Sequence, residues 1–288
     1  MDEGGPRTAF DLVLATVDRV EQLDRFLESL DRQSHRRFRV VLVDQNDDER
    51  LEPVLERHPG LAVDRLRSPR GLSRARNLAL GDLTADLVAF PDDDCVYGDD
   101  LLQRVAVRFE ERPELDGLTG RAVHLDGTPA PSWKADRAVL GRDNLWNRAI
   151  SFTVFLRRDV VTRVGPFDEQ LGLGSSTPWH SGEEIDYLVR AVSAGARIEY
   201  DPDLTVAHEE KEPSPAALRA LGRRDGASVG YILRKHRYPP RAVARMLVRP
   251  LGGTLVALVR RDTAAARFQL TTLRGRLAGY RGAREASA

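Results

Sequence analysis

Residues 87–95 read Leu-Val-Ala-Phe-Pro-Asp-Asp-Asp-Cys and join an apolar run to three adjacent carboxylates. The apolar run, 87–90, predicts a short buried strand. Three negative charges at a strand end repel one another, and a divalent cation removes that repulsion. Mg²⁺ and Mn²⁺ take oxygen ligands and often share them with substrate phosphates. The stretch therefore predicts a metal–diphosphate site at a sheet edge, although an isolated acidic triplet is also typical of a solvated turn.

Asp92 and Asp94 are the candidate metal ligands within the triplet. In extended chain, residues two apart point the same way, so both carboxylates would reach one ion. Asp93 would then point elsewhere, toward backbone or sugar.

Further along the chain, residues 117–155 are less regular. Strands are predicted at 151–156, 197–200 and 204–207, and His208 follows the last of these. His208 is a candidate third ligand, although a lone histidine there is also typical of a packed, hydrogen-bonded side chain.

Strands and helices alternate along the first third of the chain. Apolar runs at 10–16, 39–43, 61–66 and 87–90 predict strands, and 20–30 and 71–80 have helical spacing. This alternation indicates right-handed βαβ units and a mostly parallel sheet flanked by helices, which is the α/β class. Thr16, Asp18 and Asp44 follow the first two strands, where open sheets bind ligands. We expect a nucleotide pocket there, although an aspartate such as Asp44 is also typical of a turn or helix cap.

Two arginines, Arg74 and Arg76, lie near the start of the helix predicted at 71–80. Guanidinium groups and the free amides of a helix N-terminus both bind phosphate. Arginines at such positions are equally typical of a solvated helix face. The pair becomes informative only together with the acidic triplet.

A second acidic cluster follows the Gly-, Ser- and Pro-rich loop 172–182. Glu183 and Glu184 open a helix predicted at 184–194, and either is a candidate base for an acceptor hydroxyl. Ser181 and Glu184 also have the spacing of a capping box, which is a structural alternative. Trp179 lies in the loop, which we expect to close over a bound sugar and exclude water.

Composition divides the 288 residues into an acidic body and a basic tail. Residues 213–288 contain 16 Lys and Arg against 3 Asp and Glu, a net charge of +13, and the remainder carries −13. The tail is helical and amphipathic in pattern, which favours either a solvated helical face or attachment to an anionic membrane. It contains no recognisable nucleic-acid module. A single cysteine, no secretory signal and no uninterrupted apolar run of membrane-spanning length predict a cytoplasmic protein, peripheral at most to the inner membrane face.

Taken together and in order, these segments resemble the family-2 glycosyltransferases, which are inverting, nucleotide-sugar-dependent enzymes of the GT-A fold. The resemblance covers roughly residues 11–208. The matching segments are Ala15-Thr16-Val17-Asp18-Arg19, Val43-Asp44-Gln45-Asn46, Gly71-Leu72-Ser73-Arg74-Ala75-Arg76-Asn77, Phe90-Pro91-Asp92-Asp93-Asp94, Val164-Gly165-Pro166-Phe167-Asp168-Glu169, Gly182-Glu183-Glu184-Ile185-Asp186 and Val206-Ala207-His208. The chain is accordingly expected to contain a GT-A catalytic domain at 1–212 and a basic helical extension at 213–288.

The resemblance implies a role for each matching residue. The nucleoside pocket would contain Thr16, Asp18 and Asp44, and Arg74 and Arg76 would lie near the nucleotide or brace its loop. Asp92 would contact ribose or the metal, Asp94 and His208 would bind Mg²⁺ or Mn²⁺, and Asp93 and Trp179 would face sugar or acceptor. Glu184 occupies the position of the family's aspartate base, and Val17 stands where an aromatic residue often stacks on the base of the nucleotide.

The implied reaction transfers a sugar from a nucleotide-sugar donor to a hydroxyl of a glycan, a lipid-linked intermediate or a secondary metabolite, as in polysaccharide biosynthesis. A nucleotidyltransferase is one alternative, but it would normally carry a Gly-rich basic loop where this chain has Thr16-Val17-Asp18. A catalytically inactive scaffold that binds nucleotide or membrane is the other. The complete set of Asp92, Asp94, Glu184 and His208 favours an enzyme.

Overall fold

The computed structural model describes residues 5–130, 133–209 and 214–285. The chain divides into two compact units, one of Met1–Phe167 with Tyr187–Glu210, the other of Asp168–Asp186 with Lys211–Ala288. The boundary predicted at 212/213 lies outside the described residues.

Among those described, the strands are β1 (Phe10–Thr16), β2 (Phe38–Asp44), β3 (Val63–Arg67), β4 (Leu87–Ala89), β5 (Cys95–Tyr97), β6 (Gly117–His124), β7 (Ala138–Val139), β8 (Val154–Arg157) and β9 (Ile198–His208). The helices are α1 (Val20–Asp31), α2 (Glu52–Leu55), α3 (Leu72–Ala79), α4 (Leu101–Glu111), α5 (Arg158–Val164), α6 (Glu183–Ser193), α7 (Pro215–Lys235), α8 (Pro240–Val259) and α9 (Thr263–Glu285).

The first unit is built on one mixed sheet, with the described strands in the order β3-β2-β1-β4-β8-β6-β9-β5 and β7 beside β9. The first four strands are parallel, as predicted, because each is followed by a crossover rather than a hairpin. The second half combines parallel β6–β9 with antiparallel β4–β8, β6–β8 and β5–β9 pairs. The expected α/β fold is confirmed, with the parallel arrangement concentrated at its N-terminal half.

The core of this unit is the apolar content of those strands and of α1 and α4. Leu12, Leu14, Val40 and Leu42 are fully buried, as is Phe26 on α1. Full burial of a side chain of this size contributes about 1.5–3 kcal/mol relative to its exposure. This packing sets the carboxyl ends of β1, β2 and β4 side by side, so the polar residues that follow them are brought together.

Three local predictions differ from the structure. The strands expected at 197–200 and 204–207 are one strand, β9, whose pairing with β6 shifts register between Thr119 and Arg121. The strand expected at 151–156 begins as a 3₁₀ turn at Ser151–Thr153. The middle of the chain, 117–155, contains β6, a buried strand that its broken apolar pattern did not predict.

The second unit packs α7 and α9 through glycines spaced four residues apart. Gly222, Gly226 and Gly230 on α7 lie against 268–280 of α9 in ascending order, so the two helices run parallel. A Cβ on Gly279 would lie 1.9 Å from the carbonyl oxygen of Ala227. Only hydrogen at this position allows the backbones to approach so closely, a device that also joins helices within membranes.

We expect Gly279→Ala to lower the free energy of unfolding by about 3 kcal/mol, because the added methyl overlaps backbone that has no free space to move into. Gly252→Ala is the control, since a Cβ there meets nothing within 4 Å. In α8, that control substitution should raise stability by about 0.5–1 kcal/mol. Thermal unfolding of the two variants would measure the difference, and equal midpoints would contradict the close packing of α7 and α9.

The helix α8 has an unusual distribution of side chains. Its buried residues are mostly small (Ala242, Val243, Pro250, Thr254 and Ala257), whereas Val248, Leu251, Leu255, Val256, Leu258 and Val259 are exposed. Among the described residues it is the helix long and apolar enough to cross a membrane by length and composition. Pro250 has no N–H, so the carbonyl of Met246 lacks its helical partner and accepts a hydrogen bond from the Arg276 guanidinium instead.

Candidate active site

The acidic triplet lies beside the carboxyl end of β1, where Asp92 pairs with Ala15. The expectation of an extended triplet is wrong, because Asp93 and Asp94 form a turn before β5. Asp93 and Asp94 therefore converge on one partner, the Arg19 guanidinium, which lies 2.9 Å from Asp93 Oδ1 and also bonds Asp94. Asp92 instead accepts hydrogen bonds from Ser151 and from Arg76 Nη2, at 3.0 Å.

Asp94 and His208 are 114 residues apart in sequence and are brought together by the sheet. The antiparallel pairing of β5 with β9 sets Cys95 opposite His208. His208 Nε2 consequently lies 3.1 Å from Asp94 Oδ1, and its ring stacks on Phe152 with centroids 4.9 Å apart. A carboxylate and an imidazole thus meet at one partly exposed point.

Electrostatics in the triplet follow from burial opposed by basic neighbours. Burial raises the pKa of Asp93 to about 6, although the Thr16 hydrogen bond and Arg19 oppose it. Burial also raises the pKa of Asp92. For Asp94, burial is outweighed by His208 and Arg19, and its pKa falls below the ordinary value. The lowered pKa keeps Asp94 ionised. Its negative charge attracts cations, and the Arg19 guanidinium is the cationic group that contacts it in this structure.

The residues predicted for the nucleoside pocket surround the ends of β1 and β2. Thr16 Oγ1 donates to Asp93 Oδ2 at 2.6 Å. Asp18 has a positive φ of 60° and pairs with Arg50 and Arg70 at the surface. Asp44 is fully buried, and Arg65 Nη2 lies 2.7 Å from its Oδ2.

The two arginines of α3 have different environments. Arg76 is fully buried, pairs with Asp92 and lies over the rings of Phe90 and Phe167, with 6.0 and 5.6 Å from guanidinium carbon to ring centroid. Arg74 is exposed. Of the two alternatives for Arg76, its geometry favours bracing of the acidic turn over direct contact with solvent-accessible phosphate.

The second acidic cluster lies in the second unit, at the start of α6. The first helical hydrogen bond runs from Asp186 N to Gly182 O, so Gly182 rather than Ser181 precedes the helix as its cap. Glu183 is 5% exposed, whereas Glu184 is half-buried. Asp186 is fully buried between Lys235 Nζ and His236 Nε2, each 2.7 Å from its Oδ1.

The loop that carries Trp179 is pinned to α7. The indole is 7% exposed and stacks on Tyr231 with centroids 3.8 Å apart. Ser181 N donates to Ser228 Oγ at 3.2 Å. The structure therefore holds Trp179 in a packed position within its own unit.

Sequence reasoning missed three residues that organise these sites: Arg19, Ser151 and Lys235. Arg19 could have been found from the sequence, because a basic residue three positions after the end of β1 lies at the same sheet edge as the triplet. No group of three His, Cys, Asp or Glu in residues 5–130, 133–209 and 214–285 is arranged to hold a metal ion. Asp92, Asp94 and His208 nevertheless supply donor types found around hard divalent cations, and Arg19 occupies part of that space.

Solved structures with the same fold include two that contain a sugar donor. The mannosyltransferase PcManGT of Pyrobaculum calidifontis, in complex with GDP-Man and Mn²⁺, superposes with a TM-score of 0.63 at 17% identity, covering 96% of this chain and 88% of that one. S. aureus TarS 1-349, in complex with UDP-GlcNAc, gives 0.61 at 16% identity, with 93% and 92% covered. At these identities the likeness shows the GT-A fold.

Curated relatives are glycosyltransferases and glycan-biosynthesis proteins. The pre-mycofactocin glycosyltransferase of Mycobacterium tuberculosis is 27% identical over 213 residues, which are 69% of this chain. The chain spans 42% of the length of that relative. The succinoglycan biosynthesis protein ExoM of Rhizobium meliloti is 27% identical over 231 residues, covering 74% of this chain and 71% of ExoM.

The family-level comparison places the chain in a known family. The model of glycosyl transferase family 2 matches residues 11–165, which include β1 from its second residue, β2, the arginines of α3 and the acidic triplet. This match confirms the family predicted from the sequence and favours it over the nucleotidyltransferase alternative. The chain belongs to glycosyl transferase family 2.

Proposed function

We propose that the chain is a metal-dependent, inverting glycosyltransferase that moves a sugar from a nucleotide-sugar to an acceptor hydroxyl. The observation that carries the proposal is the meeting of Asp94 and His208 at the carboxyl edge of the sheet. The donor class is supported by the GDP-Man and UDP-GlcNAc bound in the two structures of the same fold. The name of ExoM supports a glycan as the acceptor. Lipid-linked intermediates and secondary metabolites are the other candidate acceptors that carry a hydroxyl.

In this proposal, the diphosphate of the donor would bind next to a divalent cation at the acidic turn. Asp92, Asp94 and His208 would hold Mg²⁺ or Mn²⁺, of which Mn²⁺ accompanies GDP-Man in the mannosyltransferase. A bound cation supplies charge neutralisation to the leaving diphosphate. Arg19 would move from Asp94 as the cation binds, and its bond to Asp93 offers it an alternative partner.

Thr16, Asp18, Asp44 and Arg74 are the residues proposed for the nucleotide. Asp44 is already held by the guanidinium groups of Arg65 and Arg67, so its role is to fix the shape of the pocket floor as well as to accept from a base or ribose. Arg76 positions Asp92 from beneath. Asp93 is placed by Thr16 and Arg19 rather than directed at an acceptor.

Glu184 is the residue we assign as the base that takes a proton from the acceptor hydroxyl. It is the more accessible of the two adjacent glutamates, and Glu183 is too buried to meet a substrate without movement. The deprotonated oxygen attacks the anomeric carbon opposite the leaving diphosphate, through an oxocarbenium-like transition state. A single displacement of this kind inverts the configuration.

The experiment is release of nucleoside diphosphate from a panel of UDP-, GDP- and dTDP-sugars, with Mn²⁺ and with a chelator. We expect release from one donor class in Mn²⁺ and none with the chelator. Binding of a nucleotide-sugar without release from any donor, in the presence of glycan and lipid-linked acceptors, would instead favour an inactive scaffold.

We further propose that the chain works at the inner, cytoplasmic face of an anionic membrane and that α8 supplies the contact. Its exposed aliphatic side chains, 66% exposed at Leu255 and 85% at Val259, are covered by nothing among the described residues. Arg241, Arg245 and Arg249 lie along the exposed surface of the first half of α8. Because these arginines would be costly in the hydrocarbon, the helix is expected to lie in the membrane plane rather than cross it.

Replacing Leu255 and Val259 by Glu should lower the vesicle partition coefficient roughly 100-fold, since each side chain removed from lipid costs about a factor of ten. The measurement is sedimentation with vesicles containing phosphatidylglycerol. Ala216→Glu with Ala217→Glu is the matched control, because it adds the same charge at exposed positions of α7. Equal binding by wild type and the α8 variant would show that this face does not enter lipid.

A further inference from the structure

The second unit contains a cavity of about 610 Å³ between α7, α9 and the loop that precedes α6. Its lining consists of Pro178, His180, Arg219, Ala220, Arg223, Arg224, Ala227, Thr271, Gly275 and Ala278. Three of these side chains are guanidinium groups, and none of them is a carboxylate. Apart from Pro178 and His180, the remaining lining consists of small residues that leave room for a ligand.

Electrostatics make this arrangement costly without a ligand. Arg219 and Arg223 are one helical turn apart, where like charges destabilise a helix. Of the three arginines, Arg224 pairs with a carboxylate, through the 3.0 Å contact of its Nε with Asp225. An anion in the cavity would offset the repulsion, and guanidinium groups match phosphate oxygens in charge and geometry.

The cavity lies close to the base assigned above. His180 in its wall is four residues before Glu184, so the two Cα atoms are separated by at most about 14 Å. The loop between them is held in place by the Ser181–Ser228 hydrogen bond and by a left-handed Gly182, whose Cβ would lie 2.8 Å from Ile232. A ligand group in the cavity is therefore close enough to be part of a molecule that also reaches Glu184.

We propose that this cavity binds a phosphate or diphosphate group carried by the acceptor substrate. The inference rests on the glycosyl transfer proposed above, in which Glu184 deprotonates the acceptor and the donor diphosphate lies at Asp92 and Asp94 of the other unit. The acceptor thus belongs to the phosphate-bearing hydroxyl compounds. Two sources share that chemistry: a soluble phosphorylated glycan and a phosphate-linked lipid, the latter being in keeping with the exposed aliphatic face of α8.

The test measures binding of inorganic pyrophosphate by calorimetry, without divalent metal, to the full chain. Wild type should bind, and Arg219→Gln with Arg223→Gln should weaken binding at least tenfold. Arg237→Gln with Arg261→Gln is the matched control, because it removes the same charge from the same unit at exposed positions outside both the cavity and α8. Ala278→Glu is a second variant, in which a carboxylate enters the cavity wall and should repel the anion.

Equal affinity of all four proteins, or no binding by wild type, would overturn the proposal. A second arm uses phosphatidylcholine vesicles containing phosphatidic acid. Loss of binding by the Arg219/Arg223 variant in both arms assigns a lipid-borne phosphate, and loss in the pyrophosphate arm alone assigns a soluble one. Failure of the wild type to release nucleoside diphosphate from any donor would refute the glycosyltransferase mechanism separately, because pyrophosphate binding does not depend on it.

Discussion

Asp94→Asn is expected to lower Mn²⁺-dependent release of nucleoside diphosphate by more than about 100-fold, because removing a group that merely supports a metal ligand already costs about 10- to 100-fold. Asp94 is the one member of the triplet that contacts both Arg19 and His208, and it is held ionised. Asparagine keeps the shape but removes the charge that attracts a cation. The measurement is steady-state release in Mn²⁺, with Mn²⁺ binding followed by electron paramagnetic resonance.

Asp99→Asn is the control for this prediction. Asp99 lies five residues further along the chain, and its side chain is 67% exposed beside Arg32. It should retain wild-type activity and Mn²⁺ affinity. The fold of the Asp94 variant is expected to survive for two reasons. Arg19 retains its ion pair with Asp93, and the pairing of β5 with β9 depends on backbone hydrogen bonds. Wild-type rates in Asp94→Asn would refute the metal assignment.

Glu184→Gln is expected to lower sugar transfer by about 100- to 10,000-fold, the contribution usual for a positioned general base. Glutamine has the same size but cannot accept the proton of the acceptor hydroxyl. Affinity for Mn²⁺ and for the nucleotide should remain unchanged, because the residues proposed for both lie in the other unit. Transfer to acceptor and donor affinity, measured side by side, separate loss of the base from loss of substrate binding.

Two further variants make the assignment of the base specific. Glu28→Gln, at an exposed position on α1, should behave as wild type. Glu183→Gln should reduce transfer less than Glu184→Gln does, since Glu183 is buried. An inactive Glu183 variant beside an active Glu184 variant would move the role of base to Glu183.

Local pattern predicted the N-terminal half of the sheet well. The strands β1, β2 and β4 are dense in Val, Leu and Ala, and parallel strands buried on both faces need continuous apolar runs. The helices α1 and α3 followed from their spacing. The second half was harder, because β6 contains Gly117, Thr119, Gly120 and Arg121, and its burial depends on neighbours distant in sequence.

The acidic turn shows the limit of local geometry. The rule that residues two apart share a side requires extended chain, and the turn at 93–94 directs Asp93 and Asp94 together onto Arg19. Backbone conformation there is set by the short connection from β4 to β5. In turn, β5 pairs with β9, a strand more than 100 residues later in the sequence. The residue types were therefore predictable, whereas their pairing was not.

The sequence by itself determined the class of fold, the order of the polar clusters after the strands and the excess of charge in the tail, because these follow from local periodicity and composition. Tertiary structure alone decided that His208 meets Asp94, that Arg76 is buried beneath Asp92 and that large aliphatic side chains of α8 face outward. Each of these depends on strand register or helix packing between distant segments. Such contacts are selected by the free energy of the whole assembly, which no local pattern encodes.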